Sequence, residues 1–394
     1  MRYPHLFKLT TLLCFASFLV DASVIESIRM REACAEEKIS AFSNSDPLSR
    51  FGNQENRGIM LGYYRSWDST PLGALPWDHL THVSHAFAKM DESGMLLKEQ
   101  RIPSLALTQK AHQHGVKVAL AIGGAGSGDQ FYQIAKSTKK RKNFIDSVIK
   151  TVIEYRYDGI DIDWEFPNQE SAASFHILLS EVKTALAKNQ LGKRSLTLSV
   201  AIAGSDWHGR WIDSQKLAEH CDFIQIMSYD FTGPWSNHAL HHAATNASPQ
   251  DLAHGGYSVE HSLDYWINQR SLPANQCLVG LPLYGRLFRA AKVGGPVSNS
   301  SSTPVEPPTL QISKVDELLG KGWRRATARD PWLQSPEGDL LFAFEDAVSI
   351  KSKCLAGSKL GCAGAFVWAL GDEKLSQQDL VRSAFEIVTR ANPE

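Results

Sequence analysis

Beyond residue 57 the chain is written in short apolar runs separated by longer amphipathic ones. Eight runs recur in order: IMLGYY (59–64), HVSHAFA (82–88), VKVALAIGG (116–124), GIDIDWEF (159–166), LTLSVAIAG (196–204), FIQIMSYD (223–230), CLVGLPLYG (277–285) and GAFVWALG (364–371). Each has the length and the Val, Ile and aromatic content of a buried strand. Between several of them the apolar positions take a helical spacing, as in Asn143 to Tyr155, Ser171 to Ala187 and Val259 to Asn268. Strands that alternate with helices pair in parallel, and eight such units predict an α/β fold, a (β/α)8 TIM barrel over residues 58–390. An open doubly wound sheet is the alternative. It would want a Gly-rich phosphate turn, and GGAGSG at 123–128 offers neither the GxGxxG register nor a P-loop lysine.

The interval between the seventh and eighth runs is too long for one helix. Residues 287–343 hold GGPVSNSSSTPVEPP, a loop by composition, then TLQISKVDELLGKGWRRATARD and the apolar LLFAF. The pattern predicts a small α+β insertion after strand 7, carried on the active face of the barrel.

The first residues read MRYPHLFKLTTLLCFASFLVDAS, with Arg2 and Lys8 ahead of an apolar run from Leu9 to Val20. That is the layout of a cleaved signal peptide over 1–22, too short to span a bilayer comfortably, and it predicts a secreted protein; a signal anchor is the alternative. Residues 23–57 are polar and irregular and are expected to form a loose arm. Lys plus Arg number 41 against 42 Asp plus Glu, so no basic field gathers nucleic acid and the expected partner is neutral. No membrane association is expected of the mature chain, which should be a monomer.

Cys14 leaves with the signal, and Cys34, Cys221, Cys277, Cys354 and Cys362 remain. In an oxidising compartment an odd number leaves one unpaired. Cys34 lies in the polar arm, and the expected disulfides are Cys221–Cys277 and Cys354–Cys362. No CxxC pair or spaced His cluster suggests a metal, although His241 and His242 adjoin, and no cofactor is expected. The sequons at Asn246 and Asn299 are expected glycan acceptors, the first weakened by Pro249.

The fourth run carries the chemistry. In DGIDIDWEFP (158–167), Asp161, Asp163 and Glu165 share one strand face while Ile160, Ile162 and Trp164 share the other. Like charges that close disfavour joint ionisation, so the row is expected to titrate as a coupled set with Glu165, nearest the rim, held protonated as a general acid. Asp158 has the opposite parity and is expected to cap a turn or the strand entry. In a barrel, functional groups gather where strands end, and Met227, Tyr229, Asp230, Tyr284, Arg286 and Trp368 all fall near such ends.

DGIDIDWE resembles the DxxDxDxE signature of family 18 glycoside hydrolases, the chitinases and their relatives. MSYD (227–230) resembles the MxYD of the family's sixth strand, GLPLYGR (280–286) its seventh-strand segment and GAFVWALGDE (364–373) its eighth, while GYYRSW (62–67) and HAF (85–87) look like its first two. The likeness runs in order from about 58 to 390. It implies a secreted, endo-acting chitinase that cleaves β-1,4 linkages between N-acetylglucosamine units with retention and substrate assistance, on chitin or chitin oligosaccharides. Under that resemblance Glu165 is the acid, Asp163 stabilises the acetamido group, Asp161 supports Asp163, and Tyr229 holds the acetamido carbonyl. Asp230 and Arg286 would contact sugar hydroxyls, and Trp368 would floor the reacting ring. Tyr63, Trp67, Phe87, Met227, Trp235 and Tyr284 would line the sugar path. Trp207 and Trp211 find no match.

The chain also departs from the family. Ala121 and Ala125 stand where the third strand commonly carries Ser and Trp, and His85 where Tyr is frequent. The expected consequence is a non-processive enzyme favouring soluble oligomers. An endo-β-N-acetylglucosaminidase acting on N-glycans and an inactive chitin-binding lectin are the alternatives. The lectins typically lose the terminal acid, which Glu165 supplies here.

Overall fold

The computed structural model describes residues 58–189, 195–233, 235–298, 308–327, 330–373 and 379–389. The expected signal peptide, the polar arm, Cys34 and Asn299 lie outside these residues. Eight parallel strands close into a barrel: β1 (Ile59–Arg65), β2 (His82–Ala88), β3 (Lys117–Gly124), β4 (Gly159–Trp164), β5 (Thr197–Ala203), β6 (Phe223–Met227), β7 (Cys277–Pro282) and β13 (Gly364–Trp368). β1 pairs with β2 on one side and with β13 on the other, so closure leaves no barrel strand with an open edge.

Strand alternation divides the apolar residues between two cores. Ile160, Ile162 and Trp164 face outward, where Trp164 stacks on Phe131 with ring centroids 5.2 Å apart and meets Phe175 edge-on. Inside the barrel sit Leu61, Ala121, Ala201, Leu278 and Phe366 with the buried acids. The expected helices appear as Thr138–Glu154 and Ala172–Lys188. The third is shorter than its apolar spacing suggests: Val259–Leu263 is α-helical and continues as a π-turn through Gln269.

The expected insertion is a five-stranded antiparallel sheet in the order β10-β11-β12-β8-β9. It begins earlier than the composition suggests, because the seventh apolar run is two strands. β7 ends at Pro282, and β8 (Tyr284–Arg289) leaves the barrel to pair with β9 (Thr309–Gln311) and β12 (Leu340–Ala343). Between them, the Leu283 amide still donates to the Trp368 carbonyl at 2.8 Å. β10 (Arg324–Thr327) and β11 (Trp332–Gln334) complete the sheet. Tyr284 and Arg286 therefore project from the insertion's first strand.

The expected disulfides are not formed. Cys221, Cys277, Cys354 and Cys362 are all free thiols. Cys277 Sγ instead donates to the Pro273 carbonyl at 3.3 Å, and Cys221 and Cys354 are buried in the apolar layer under the helices. Cys277 opens β7, but Cys221 caps the helix two residues before β6, and neighbouring strands do not by themselves aim the two side chains at each other. Among the described residues no helix is long and apolar enough to cross a membrane, and no group of three His, Cys, Asp or Glu could hold a metal ion.

Candidate active site

β4 turns Asp161 and Asp163 into the barrel, where both are buried. Asp161 lies deepest. Tyr63 Oη donates to its Oδ2 at 2.6 Å, Ser199 Oγ to its Oδ1 at 2.7 Å, and Gln225 Nε2 to the same Oδ1. Burial pushes its carboxyl up and these donors pull it back. Ser84 on β2 is buried with its hydroxyl unpaired among the described residues, and Ala121 on the third strand stands in register with Asp161. Asp158 faces the other way, as its parity requires, accepting from the Val118 amide at 2.8 Å and lying 2.7 Å from His112 Nε2.

The next two acids are harder to ionise. Asp163 is pushed well above the carboxylate range, first by burial and then by the charges of Glu165 and Asp161. Glu165 is raised to about 7, first by burial and then by Asp230. The repulsion within the row falls mainly on Asp163. The charge that helps keep Glu165 protonated comes from the end of another strand.

A glycine near the end of β3 and a serine in the loop after it fix the end of β4. Gly123 has φ 117°, and a Cβ there would sit 2.1 Å from the Asp163 carbonyl oxygen, so only glycine lets the backbones approach this closely. Ser127 Oγ donates to that same carbonyl at 3.1 Å and accepts the Glu165 amide at 3.3 Å. Ser127 escapes sequence reasoning because nothing in AGSG says which strand its hydroxyl will meet.

Beyond β6 the chain delivers Tyr229 and Asp230. Asp230 has φ 58°, a left-handed backbone unusual for a residue with a side chain. Its Oδ1 accepts from Arg286 Nε at 3.0 Å and Nη2 at 2.7 Å. Burial would push this carboxyl up, but His242 and Arg286 outweigh it and hold Asp230 below its usual value. The Arg286 guanidinium also lies over the rings of Trp235 and Tyr284, 5.4 and 5.2 Å from their centroids. Burial and the nearby acids push the Tyr229 and Tyr284 hydroxyls well up, so both remain protonated donors.

These groups open onto a cleft of about 1150 Å³. One wall is aromatic: Phe87 stacks on Trp368 at 5.5 Å and on Trp67 at 6.1 Å, while Tyr63 meets Trp368 edge-on at 5.3 Å. Tyr63, expected as a sugar-stacking surface, is only 1 % exposed and commits its hydroxyl to Asp161. Met227 lines the floor, and Trp67 and Trp235 stand at the rim 59 % and 62 % exposed. The structure adds Trp207, 72 % exposed, and the Phe166–His208 stack at 4.4 Å, all lining the same cleft. The exposed Trp207 in SDWHG was a visible signal, but its placement depends on how the loop after β5 folds over the rim. Asn246, partly buried, lies outside the cleft lining.

A closed parallel barrel with stacked buried carboxylates beneath exposed aromatic faces has the make-up of a glycoside hydrolase. Residues 59–373 match the glycosyl hydrolases family 18, and the chain belongs to that family. It is 25 % identical over 376 residues to "Chitinase 1" of Aphanocladium album, covering 86 % of this chain and 88 % of that protein. It is 32 % identical over 275 residues to a "Probable endochitinase" of Caenorhabditis elegans, covering 65 % of this chain and 43 % of the longer relative. A mutant class V chitinase from Nicotiana tobaccum, solved in complex with NAG4, shares the fold with a TM-score of 0.76 at 22 % identity, over 85 % of this chain and all of that one.

Proposed function

We propose that the protein is a secreted, monomeric, endo-acting chitinase that hydrolyses β-1,4 linkages between N-acetylglucosamine units with retention of configuration. In this reading 1–22 is a signal peptide, 23–57 an arm and 58–390 the catalytic barrel. One observation carries the proposal: above buried Asp161, buried Asp163 and half-buried Glu165 meet Tyr229 and Trp368 at a single cleft. Relatives named as chitinases, and a similar fold solved with NAG4, agree with a chitin oligosaccharide as the substrate.

Glu165, raised to about 7, keeps its proton up to about neutral pH and in that form gives it to the glycosidic oxygen as the C–O bond breaks. The carbonyl oxygen of the substrate's own 2-acetamido group attacks the anomeric carbon from the opposite face, closing an oxazolinium ring. Asp163, held protonated at rest, passes its proton down the row to Asp161 as positive charge develops on the acetamido group, and then accepts the acetamido N–H and stabilises that charge, while the neutral Tyr229 hydroxyl donates to the acetamido oxygen and fixes its approach. Glu165, now ionised, takes a proton from water, which opens the ring at the anomeric carbon and restores the original configuration. The acid thus ends as it began.

The test is cleavage of chitin oligomers of graded length by wild type and Glu165→Gln, with the anomer of the first product read by NMR. The reading expects β-product from the wild type and a loss of about 10²–10⁴-fold in kcat in the variant. Equal rates in both, or initial α-product, would overturn it. Tight binding without cleavage by the wild type would favour the lectin.

A further inference from the structure

We propose that His242 is a positioning residue of this active site, an imidazole buried behind Asp230 that holds the Asp230 carboxylate in its working orientation at the cleft. The inference rests on the glycosidase reading above and deepens it.

His242 is fully buried, and its Nδ1 lies 3.6 Å from Asp230 Oδ1. Among the described residues neither ring nitrogen has another polar partner at hydrogen-bond distance. Buried polar groups seldom stay unpaired, and a shift of a few tenths of an ångström by either side chain would close this contact. The backbone keeps the two residues together, because the Phe231 amide, next in chain to Asp230, donates to the His242 carbonyl at 2.9 Å. Asp230 needs such support: its left-handed backbone is strained, so partners rather than local preference direct its side chain.

The surroundings of His242 select its protonation state. The Tyr284 ring lies 5.2 Å away at a tilt of 37°, and the His241 ring is stacked at 5.4 Å. Arg286 from β8 and Lys353 from helix Ala347–Lys359 set positive charge near it, and Asp230 sets negative charge. Burial, with the two cations, outweighs Asp230 and keeps the ring neutral. A neutral imidazole carries one N–H, and with Nδ1 toward a carboxylate that proton belongs on Nδ1. Asp230 also bears on Glu165, whose carboxyl its charge helps to raise. His242 therefore acts through Asp230 on both sugar contact and the acid, without touching substrate.

The experiment compares wild type, His242→Phe and His242→Asn on chitotetraose across pH, together with ¹³C titration of the Asp230 carboxyl. Phenylalanine keeps a flat ring and removes the donor, whereas the Asn amide places a donor where Nδ1 stood. The expected result for His242→Phe is a KM raised about tenfold, a basic limb moved to lower pH and an Asp230 titration moved up, with His242→Asn within about threefold of wild type. Wild-type values in His242→Phe would overturn the proposal, and so would equal loss in both variants, which would make His242 a packing residue only. If the wild type fails to cleave chitotetraose, the chitinase reading falls, and an unmoved Asp230 titration in His242→Phe is then the result that overturns the role of His242.

Discussion

Tyr63 on β1 donates its hydroxyl to Asp161 Oδ2 on β4 at 2.6 Å, through the interior of the barrel and between residues 98 positions apart. The bond ties the deepest acid of the row to a tyrosine whose ring also meets Trp368 of the aromatic wall. Tyr63→Phe removes one of the donors that offset the burial of Asp161. A hydrogen bond to a charged group contributes about 1.5–3 kcal/mol, so urea unfolding at neutral pH should show a loss of that size. A fall in kcat/KM of about tenfold or more should accompany it.

Asp163→Asn replaces a carboxylate that can face a developing positive charge with an amide of the same shape. A loss of about 10²–10³-fold in kcat is expected, with KM changed little, since the charge arises only in the transition state. Steady-state kinetics on chitotetraose would separate the two constants.

The pH profile should be governed on its basic side by Glu165. In the proposed role of general acid it must be protonated, so kcat/KM should fall as pH rises through about 7. Burial is the first cause of that value and the Asp230 charge the second. Removing a negative neighbour makes ionisation easier, so Asp230→Asn should move the limb to lower pH and weaken binding as well. A limb that stays in place would separate Asp230 from the acid.

Away from the cleft, Lys353 Nζ meets Glu345 Oε2 at 2.8 Å with both side chains buried. Burial pushes Glu345 up to about 7, and Lys353 and Ser349 only partly offset it. A carboxyl raised in the folded state stabilises most below its unfolded value and loses that contribution as pH climbs toward 7. Lys353→Met should destabilise by about 3–5 kcal/mol at pH 8, where it strands a buried charge. The loss should be smaller at pH 5, where Glu345 can stay neutral. Urea unfolding at the two pH values measures the difference.

The four thiols should also be demonstrable. Alkylation under denaturing, non-reducing conditions should label Cys221, Cys277, Cys354 and Cys362 alike. In the folded protein labelling should be slow, because burial pushes Cys354 and Cys362 up to about 12 and Cys221 and Cys277 higher still. Recovery of either expected disulfide-linked peptide would contradict the free thiols of the fold.

The sequence by itself determined the barrel, the acid row and its orientation, because each depends on local periodicity. Alternation along β4 separates Asp161, Asp163 and Glu165 from Asp158 whatever surrounds the strand. The ends of the apolar runs likewise place Tyr229, Asp230, Arg286 and Trp368 on one rim. What only the tertiary structure decided are the contacts made across strands. These are the hydroxyls of Tyr63 and Ser199 around Asp161, the hold of Ser127 on Glu165, the Asp230 charge that helps raise the acid, and the position of His242 behind it. The cysteines mark the same divide, since their place at or near the ends of elements was readable and the direction of their side chains was not. Periodicity fixes which face of an element a residue occupies. Which partner stands opposite that face, and how far burial shifts a proton there, depends on closure of the barrel, which brings together residues far apart in the chain.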